Sequence, residues 1–252
     1  MGCFVTHIVL SACAVLVLSM HSVDSIASDT PWSYSGLKGP SHWGQLDPSY
    51  SLCGNGSEQS PVDVANTVSA ALPGIEFNYN ATGNQIENNG HFVKINYKTG
   101  SSIVIDDAEY KLVQSHFHTP AEHTINNKAF PMEVQHYHNN KAGDQLVISA
   151  LFMAGEENKA LHHSWLKLLS QKHARHLLYR EISPVELLPE NREYYRLQGS
   201  LTIPPCTENI TWIIMKHPVT ASSEQIQELH KTIYADNNRP VQPLNERSIQ
   251  ER

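Results

Sequence analysis

The sequence predicts a single α+β domain built on a large, mainly antiparallel twisted β-sheet with short helices at its periphery. A chain of 252 residues that is 40% hydrophobic is long enough to form one substantial core. Residues 93–97, 102–105 and 110–118 alternate apolar and polar side chains between Gly, Asp and Lys turns, which is typical of an antiparallel meander. Residues 146–154 are almost continuously apolar, as in a strand that is buried on both faces.

The N-terminus has the composition of a secretory signal peptide. Residues 8–20 form an apolar run that is too short to cross a bilayer, and Ser25, Ile26 and Ala27 supply small residues for cleavage. We therefore predict a signal peptide at 1–27 and a mature domain at 28–252, in preference to a buried N-terminal helix. The protein is expected to be secreted and extracellular.

Cysteine usage agrees with an oxidising compartment. Removal of the signal leaves Cys53 and Cys206, and we expect this even pair to be bonded rather than to remain as free thiols. Sequons for N-glycosylation begin at Asn55, Asn80 and Asn209. We expect sugars on Asn55 and Asn80 if these are exposed, whereas Asn209 opens a predicted core strand and is the least suitable acceptor.

The overall charge argues against two classes of partner. A formal net charge of −7 leaves no basic stripe to neutralise phosphates, so we expect neither nucleic acid nor an anionic membrane as the main partner. No segment after the predicted signal is apolar over the length of a membrane span, and we expect neither a membrane span nor a lipid anchor. The oligomeric state does not follow from the sequence.

Two stretches outside the predicted strands have a recognisable pattern. Residues 29–60 are rich in Pro, Gly and Ser with aromatic residues between them, which indicates an irregular segment held by ring packing. Residues 158–178 place Leu161, Trp165 and Leu168 at helical spacing, which predicts a helix.

The stretch 110–118 carries the first candidate metal ligands. Gln114, His116 and His118 occupy every second position, so a strand would point all three side chains to one face. Two neighbouring imidazoles can form half of a metal site when an antiparallel strand supplies a further donor. From spacing alone, exposed or core histidines are the commoner explanation.

A second run follows after a turn at 126–128. Residues 129–138 repeat the alternation, and they place Glu133 and Gln135 on one face and His136 on the other. The run is therefore a suitable partner strand for the two histidines.

Both runs resemble the zinc-site segment of the α-class carbonic anhydrases, whose motif reads Gln-x-His-x-His, then Glu-His, then Glu-x-His. Gln135 stands where that family has its third histidine. Further motifs of the family follow in order at 59–63, 199–205 and 236–244. The matching positions in the zinc-site segment are Gln114, His116, His118, Glu122, His123 and Glu133.

The resemblance implies a zinc enzyme that converts CO2 and water reversibly to bicarbonate and a proton. Bound Zn²⁺ lowers the pKa of water from about 15.7 to about 7 and so makes hydroxide available near neutral pH. The implied ligands are His116, His118 and Gln135. The residues implied to fix these ligands are Gln114, Glu133 and Asn237.

The resemblance also implies catalytic roles. Thr202 would accept a hydrogen bond from the hydroxide and donate its own to Glu122, while His91 would carry protons between the cleft and bulk water. Tyr34 would lie near the site. The apolar wall beside CO2 would consist of Tyr137, Ile148, Leu201, Ile210 and Trp212.

Gln135 is the main departure from the family pattern. Its amide oxygen can bind zinc while its NH2 donates to Glu133, but it is a weaker donor than imidazole, so we expect lower zinc affinity. The alternative is a β-bulge that turns His136 inward. In addition, the ring of Tyr137 should narrow the CO2 pocket, and Leu197 replaces a Tyr whose hydroxyl would meet the buried His123.

These observations predict a secreted, zinc-dependent carbonic anhydrase with reduced activity. The alternative is a catalytically weak or inactive carbonic-anhydrase-related protein that serves as a binding, matrix or storage protein. Zinc content and CO2 hydration distinguish the two.

Overall fold

The structure is a computed structural model that describes residues 30–161, 172–233 and 235–252. The predicted signal peptide at 1–27 lies outside this range.

The α-helices are α1 (Trp43–Leu46), α2 (Leu52–Asn55) and α3 (Ser223–Ile233), with 3₁₀ turns at Gly36–Lys38, Pro40–His42, Pro48–Tyr50 and Pro184–Leu187. The strands are β1 (Asp63–Val64), β2 (Val68–Ser69), β3 (Glu76–Tyr79), β4 (Gly83–Asn88), β5 (Val93–Tyr97), β6 (Ser101–Ile105), β7 (Ala108–His118), β8 (Thr124–Ile125), β9 (Met132–Asn139), β10 (Gln145–Ala154), β11 (Arg175–Ile182), β12 (Tyr194–Ser200), β13 (Glu208–Met215), β14 (Val219–Ala221) and β15 (Gln250–Glu251).

One large sheet contains most of the strands. In the described ranges it has thirteen strands, which follow the path β11-β4-β5-β7-β9-β10-β13-β12-β15-β2, with β3, β6 and β14 attached beside it. The parallel neighbours in it are β10 with β13, β10 with β14, and β15 with β2. A separate parallel pair joins β1 to β8. The predicted fold class, a single α+β domain on a mainly antiparallel sheet with short peripheral helices, is confirmed.

The central strands agree closely with the alternation in the sequence. Strand β5 has the predicted bounds, and β6, β7 and β10 begin one or two residues before the predicted runs. The turn between β7 and β9 includes Asn126 and Asn127 at φ of 49° and 60°, a region that Asn tolerates better than most residues. Strand β10 is buried from Leu146 to Phe152, as expected for a strand covered on both faces.

The helix predicted for 158–178 is wrong at its C-terminal end. Residues 162–171 lie outside the described range, but Arg175–Ile182 form β11, which pairs with β4. Arg175 forms an ion pair with Glu87 of β4 at 2.9 Å, and exposed and half-buried side chains alternate along the start of β11. Pairing along the edge of the sheet therefore outweighs the helical spacing of the leucines.

The sheet has an apolar core on each face. The larger core contains Phe117 and Ile148, and the smaller one contains Val147, Ile210 and Trp212. Because the neighbours Val147 and Ile148 point to opposite faces, the strand register decides which side chains can line a site.

Aromatic packing holds the N-terminal segment, as predicted, but the segment also contains the short helices α1 and α2, which were not predicted. Trp43 is fully buried and packs edge-on against Trp32 and Tyr34, with ring centroids 5.2 and 5.8 Å apart. A disulfide joins Cys53 to Cys206, which confirms the predicted pair. This bond ties the segment to the loop between β12 and β13.

Helix α3 was not predicted from the sequence. Its residues Ile226, Leu229 and Ile233 recur at intervals of three and four and are buried in the larger core. Glu224 in the first turn and Lys231 in the last suit the helix dipole. No helix in the described residues is both long and apolar enough to cross a membrane.

All three sequons lie on described parts of the chain. Asn55 and Asn80 are exposed. Asn209, expected to be the least suitable acceptor, is exposed as well.

Candidate metal centre

Strand pairing brings the predicted ligands together. Strands β7 and β9 are antiparallel, with His116 opposite Gln135 and His118 opposite Glu133. All four side chains are buried, and alternation places the members of each strand on one face. The Nε2 atoms of His116 and His118 have no hydrogen-bond partner among the described residues. Buried polar atoms are normally paired, so two free imidazole nitrogens side by side fit a metal ion.

The predicted third donor is the amide of Gln135. Within the described ranges, no three His, Cys, Asp or Glu side chains are arranged to hold a metal ion. Gln135 is fully buried opposite His116 and offers a neutral oxygen. Zinc accepts nitrogen and oxygen donors, so the set fits this ion, with the amide as its weakest member.

His136 lies on the opposite face of the sheet. Strand β9, which the structure describes completely, pairs with β10 without a break from Met132 to Asn139. His136 Nδ1 lies 2.5 Å from Ser115 Oγ on that face. The β-bulge that would have turned His136 toward the face of His116 and His118 is therefore not formed.

Three hydrogen bonds hold the amide of Gln135. Its Nε2 donates to Glu122 Oε2 at 2.8 Å and to Glu133 Oε1 at 3.0 Å, and its Oε1 accepts from the Tyr137 hydroxyl at 3.0 Å. The bond to Glu133 was expected, whereas those to Glu122 and Tyr137 were not. The amide therefore bridges two buried carboxylates and retains one lone pair on its oxygen.

Glu133 accepts hydrogen bonds from several neighbours. Its Oε2 accepts the backbone N–H groups of Glu122 and His123 at 2.8 and 2.9 Å. Its Oε1 accepts from His123 Nδ1 at 2.8 Å and from Ser149 Oγ at 2.7 Å. Burial alone would raise the pKa of Glu133, but the charge and hydrogen bonds of His123 lower it to about 2. Glu133 is thus an ionised acceptor that anchors Gln135.

The expected hydrogen bond from Thr202 to Glu122 is not formed. Glu122 Oε1 accepts the backbone N–H of Arg239 at 2.9 Å, and Gln135 occupies Oε2. Thr202 Oγ1 lies beside the Tyr137 hydroxyl and has no well-aligned partner among the described residues. The amide has two N–H groups that reach both carboxylates, whereas a metal-bound imidazole has only one N–H to give.

His118 is fixed by Asn237, but through the backbone of that residue. His118 Nδ1 lies 2.8 Å from the Asn237 carbonyl oxygen. The Asn237 side chain accepts the N–H of Thr119 at 2.8 Å and donates to the carbonyl of Phe117 at 3.0 Å. Asn237 therefore holds both the ring and the end of β7.

Ring packing holds His116. Its ring stacks on Phe92 at 4.2 Å and lies against Tyr137 at 4.5 Å, whereas Gln114 forms no hydrogen bond with it in the described part of the chain. Burial, and then the nearby His118, lower the pKa of His116 well below its ordinary value, which favours the neutral form that binds metal. Sequence reasoning missed Phe92, although it directly precedes β5, the strand that pairs with β7.

The apolar wall contains Val147 and not Ile148. Val147 is opposite Tyr137 in the β9–β10 register and lies in the smaller core, whereas Ile148 is opposite His136 and lies in the larger core. The prediction of Ile148 was wrong because an offset of one residue in a strand reverses the face. The predicted wall residues that do pack together are Tyr137, Leu201, Ile210 and Trp212.

His91 is half-buried and stacks on Trp32, with ring centroids 3.9 Å apart. Its carbonyl oxygen accepts from Asn237 Nδ2 at 3.1 Å, which ties it to the backbone that holds His118. Burial lowers the pKa of His91, and the neighbouring positive groups add to this effect.

Two further buried polar atoms at the site lack a partner among the described residues. The first is the Tyr34 hydroxyl. Burial raises its pKa well above the ordinary value, and the nearby Glu122 and Tyr137 raise it further. Because both of these residues belong to the site, the hydroxyl faces the site. The second is His123 Nε2, as expected from the absence of a hydroxyl at Leu197.

Arg239 is a buried cation. It belongs to the matching motif at 236–244, but sequence reasoning assigned it no role. Its guanidinium donates to Gln59 Oε1 at 2.8 Å and to the carbonyls of Ser60 and Cys53 at 2.7 and 2.9 Å. Burial lowers the pKa of Arg239 to about 10. Since its backbone N–H holds Glu122, this network connects the N-terminal segment to the site.

Comparisons with known proteins agree over most of the chain. The sequence model of the family described as eukaryotic-type carbonic anhydrase matches residues 38–252. A carbonic anhydrase of Pectobacterium atrosepticum is 38% identical over 248 residues, which are 98% of this chain and 98% of that protein. The solved complex of α-carbonic anhydrase from Thermovibrio ammonificans with the inhibitor sulfanilamide has a TM-score of 0.86 at 41% identity, covering 88% of this chain and 100% of that one. A structure of dioscorin complexed with ascorbate has a TM-score of 0.82 at 33% identity, covering 88% and 97%.

Proposed function

Because this chain belongs to the eukaryotic-type, or alpha, carbonic anhydrase family, we propose that it hydrates CO2 reversibly to bicarbonate and a proton, with zinc held by His116, His118 and Gln135. The observation that carries the proposal is the pair of buried, unpaired Nε2 atoms on His116 and His118, opposite a firmly held amide. Family membership supports carbonic anhydrase activity, and position 135 is where this site departs from the family pattern.

The residues around the metal position each have a distinct task. When bound, zinc supplies a Lewis acid that lowers the pKa of water to about 7. His116 and His118 present neutral nitrogens, the first held by ring packing and the second by the carbonyl of Asn237. Gln135 contributes a neutral oxygen. Because this oxygen is a weaker donor than imidazole, we propose lower zinc affinity and lower activity than three histidines would give.

Thr202, Glu122 and His91 are the proposed catalytic residues. Thr202 Oγ1 is buried and unpaired among the described residues, so it is free to hydrogen-bond with water or bicarbonate. Glu122 is held in place from both sides by hydrogen bonds. His91 is half-buried next to the site and is suited to exchange protons with solvent. CO2 would rest against the apolar wall that includes Tyr137 and Val147.

We also propose that the protein is secreted into the extracellular space after removal of residues 1–27. The disulfide between Cys53 and Cys206 supports an oxidising compartment. The exposed Asn55 and Asn80 are the proposed glycosylation sites.

Measuring zinc content and CO2 hydration on the same purified protein tests this proposal. We expect about one zinc per chain and hydration above the buffer rate, with loss of activity on treatment with dipicolinate and recovery on addition of zinc. Activity that a strong chelator does not affect would contradict the metal site. Zinc-loaded protein that does not hydrate CO2 would instead favour the alternative function, a carbonic-anhydrase-related binding, matrix or storage protein.

A further inference from the structure

We propose that Tyr137 lowers the metal affinity of this site, because its hydroxyl donates a hydrogen bond to the Gln135 oxygen that the metal would bind. This inference rests on the proposed function, which makes Gln135 the third ligand. It concerns a hydrogen bond of 3.0 Å between Tyr137 Oη and Gln135 Oε1. Both residues are departures from the family pattern.

The orientation of Gln135 does not depend on Tyr137. Gln135 Nε2 donates to Glu122 Oε2 at 2.8 Å and to Glu133 Oε1 at 3.0 Å. Two hydrogen bonds to carboxylates from one amide nitrogen fix the plane of the amide, because hydrogen bonds to ionised acceptors are strong. The side chain is also fully buried, so it has no room to rotate freely. The oxygen therefore keeps its direction with or without a hydroxyl beside it.

The Tyr137 hydroxyl thus competes with a metal rather than preparing the site for it. An amide oxygen has two lone pairs, and a hydrogen bond to one of them withdraws electron density that a cation would use. The Tyr137 ring packs against His116 at 4.5 Å and against the smaller core, which keeps the hydroxyl beside the oxygen.

Removing this hydroxyl should favour the metal-bound state in two ways. In Tyr137→Phe, the buried Oε1 loses its donor, and an unsatisfied buried acceptor destabilises the metal-free protein. A metal ion would then satisfy that acceptor and would meet no competing hydrogen bond. We expect zinc to bind Tyr137→Phe about tenfold more tightly than the unmodified protein, the size expected for one buried hydrogen bond.

The test compares zinc dissociation constants, obtained by competition with a chromophoric chelator, for the unmodified protein, Tyr137→Phe and Tyr79→Phe. Tyr79→Phe is the matched control because it removes the hydroxyl of another half-buried tyrosine, which lies 2.8 Å from His138 Nε2 on the opposite face. We expect the control to keep the zinc affinity of the unmodified protein. We also expect zinc to raise the melting temperature of Tyr137→Phe by more than it raises that of the unmodified protein.

The outcomes separate this inference from the proposed function. Equal zinc affinity in the unmodified protein and Tyr137→Phe, or weaker binding in the variant, overturns the role of Tyr137 while leaving the zinc site intact. Absence of zinc binding in all three proteins overturns the proposed metal site, and this inference with it. If Tyr137→Phe does not fold, Tyr137→Leu also removes the hydroxyl from the apolar wall, and its zinc affinity is expected to change in the same direction.

Discussion

At the scale of single residues, position 135 affects the hydrogen bonds of several neighbours at the candidate site. An amide stands where the family pattern has imidazole, and its N–H groups donate to Glu122 and Glu133 at 2.8 and 3.0 Å. Thr202 has no hydrogen bond in the described part of the chain to Glu122, the carboxylate partner that the resemblance implies. In the proposed site, residue 135 would therefore set the donor strength at the metal and also the hydrogen bonding of Glu122, the expected partner of Thr202.

The substitution Gln135→His should raise both zinc affinity and CO2 hydration. Imidazole is a better zinc donor than an amide, and its single remaining N–H would leave Glu122 Oε2 free for Thr202. We expect zinc binding to tighten on the order of tenfold or more, measured by chelator competition, with a faster rate in stopped-flow CO2 hydration. Gln198→His, at an exposed position, is the matched control and should change neither quantity. No change in Gln135→His would place residue 135 away from the metal.

At the scale of elements, the register of the antiparallel pair β9–β10 decides which side chains face the site and which face the larger core. Val147 is opposite Tyr137, and Ile148 is opposite His136, so successive residues of β10 serve different faces. Apolar composition in β10 cannot distinguish these faces, because both are buried. The site face is marked only by the register with β9.

The substitution Ile148→Ala should therefore reduce stability without changing the substrate pocket. Ile148 is fully buried in the larger core, and removal of such a side chain costs about 2–5 kcal/mol of unfolding free energy. Urea unfolding measures this loss, and the KM for CO2 is expected to stay unchanged. Val147→Ala, on the site face, is the comparison that should change KM. A larger change of KM in Ile148→Ala than in Val147→Ala would contradict the observed register.

The other face of β9 carries a buried histidine that should make stability depend on pH. Burial lowers the pKa of His138 to about 4, whereas an unfolded histidine has a pKa of about 6.5. Below pH 6.5 the unfolded chain therefore binds a proton that folded His138 does not, so stability falls as the pH decreases toward 4. The expected loss from this residue is about 3 kcal/mol.

Urea unfolding between pH 7 and pH 4 measures this dependence. In His138→Asn, the unfolding free energy should depend less steeply on pH, by the contribution of one proton. His136, whose pKa burial lowers to about 3, should continue to contribute to this dependence. If the unfolding free energy of the variant and of the unmodified protein depended equally on pH, His138 would bind its proton equally well in the folded and the unfolded protein.

At the scale of the whole molecule, the N-terminal segment is joined to the site from several directions. The disulfide connects Cys53 to Cys206 across a sequence separation of 153. Gln59 Nε2 donates to the Cys206 carbonyl at 3.0 Å, and the buried Arg239 guanidinium donates to the Cys53 carbonyl at 2.9 Å. Loops that are distant in sequence thus support the loop that carries Thr202.

Loss of the disulfide should destabilise the whole fold. Since the bond closes a long loop in the unfolded chain, its reduction should cost about 2–5 kcal/mol of unfolding free energy. Urea unfolding with and without reductant measures this change. The double variant Cys53→Ala with Cys206→Ala should show similar destabilisation and no further response to reductant. A reductant effect on the double variant would point to another cause.

Much of the fold and part of the site followed from the sequence itself. Period-two alternation predicted β5, β6, β7 and β9, and it placed His116 and His118 on one face. A continuous apolar run predicted β10. The resemblance of several motifs implied the family, and the even pair of cysteines in an oxidising compartment predicted the disulfide; the family match and the disulfide confirm both. The alternation along a strand is a local feature, because backbone geometry fixes the relation between a residue and its neighbours two positions away.

Only the tertiary structure decided which residues meet across the chain. The register of β9 and β10 selected Val147 over Ile148, pairing with β4 made a strand of Arg175–Ile182, and packing placed Phe92 against His116. The Gln135 amide likewise bonds to Glu122 and Tyr137 rather than to Glu133 alone. These choices depend on contacts between segments distant in sequence, whose free energies no local pattern of residues encodes.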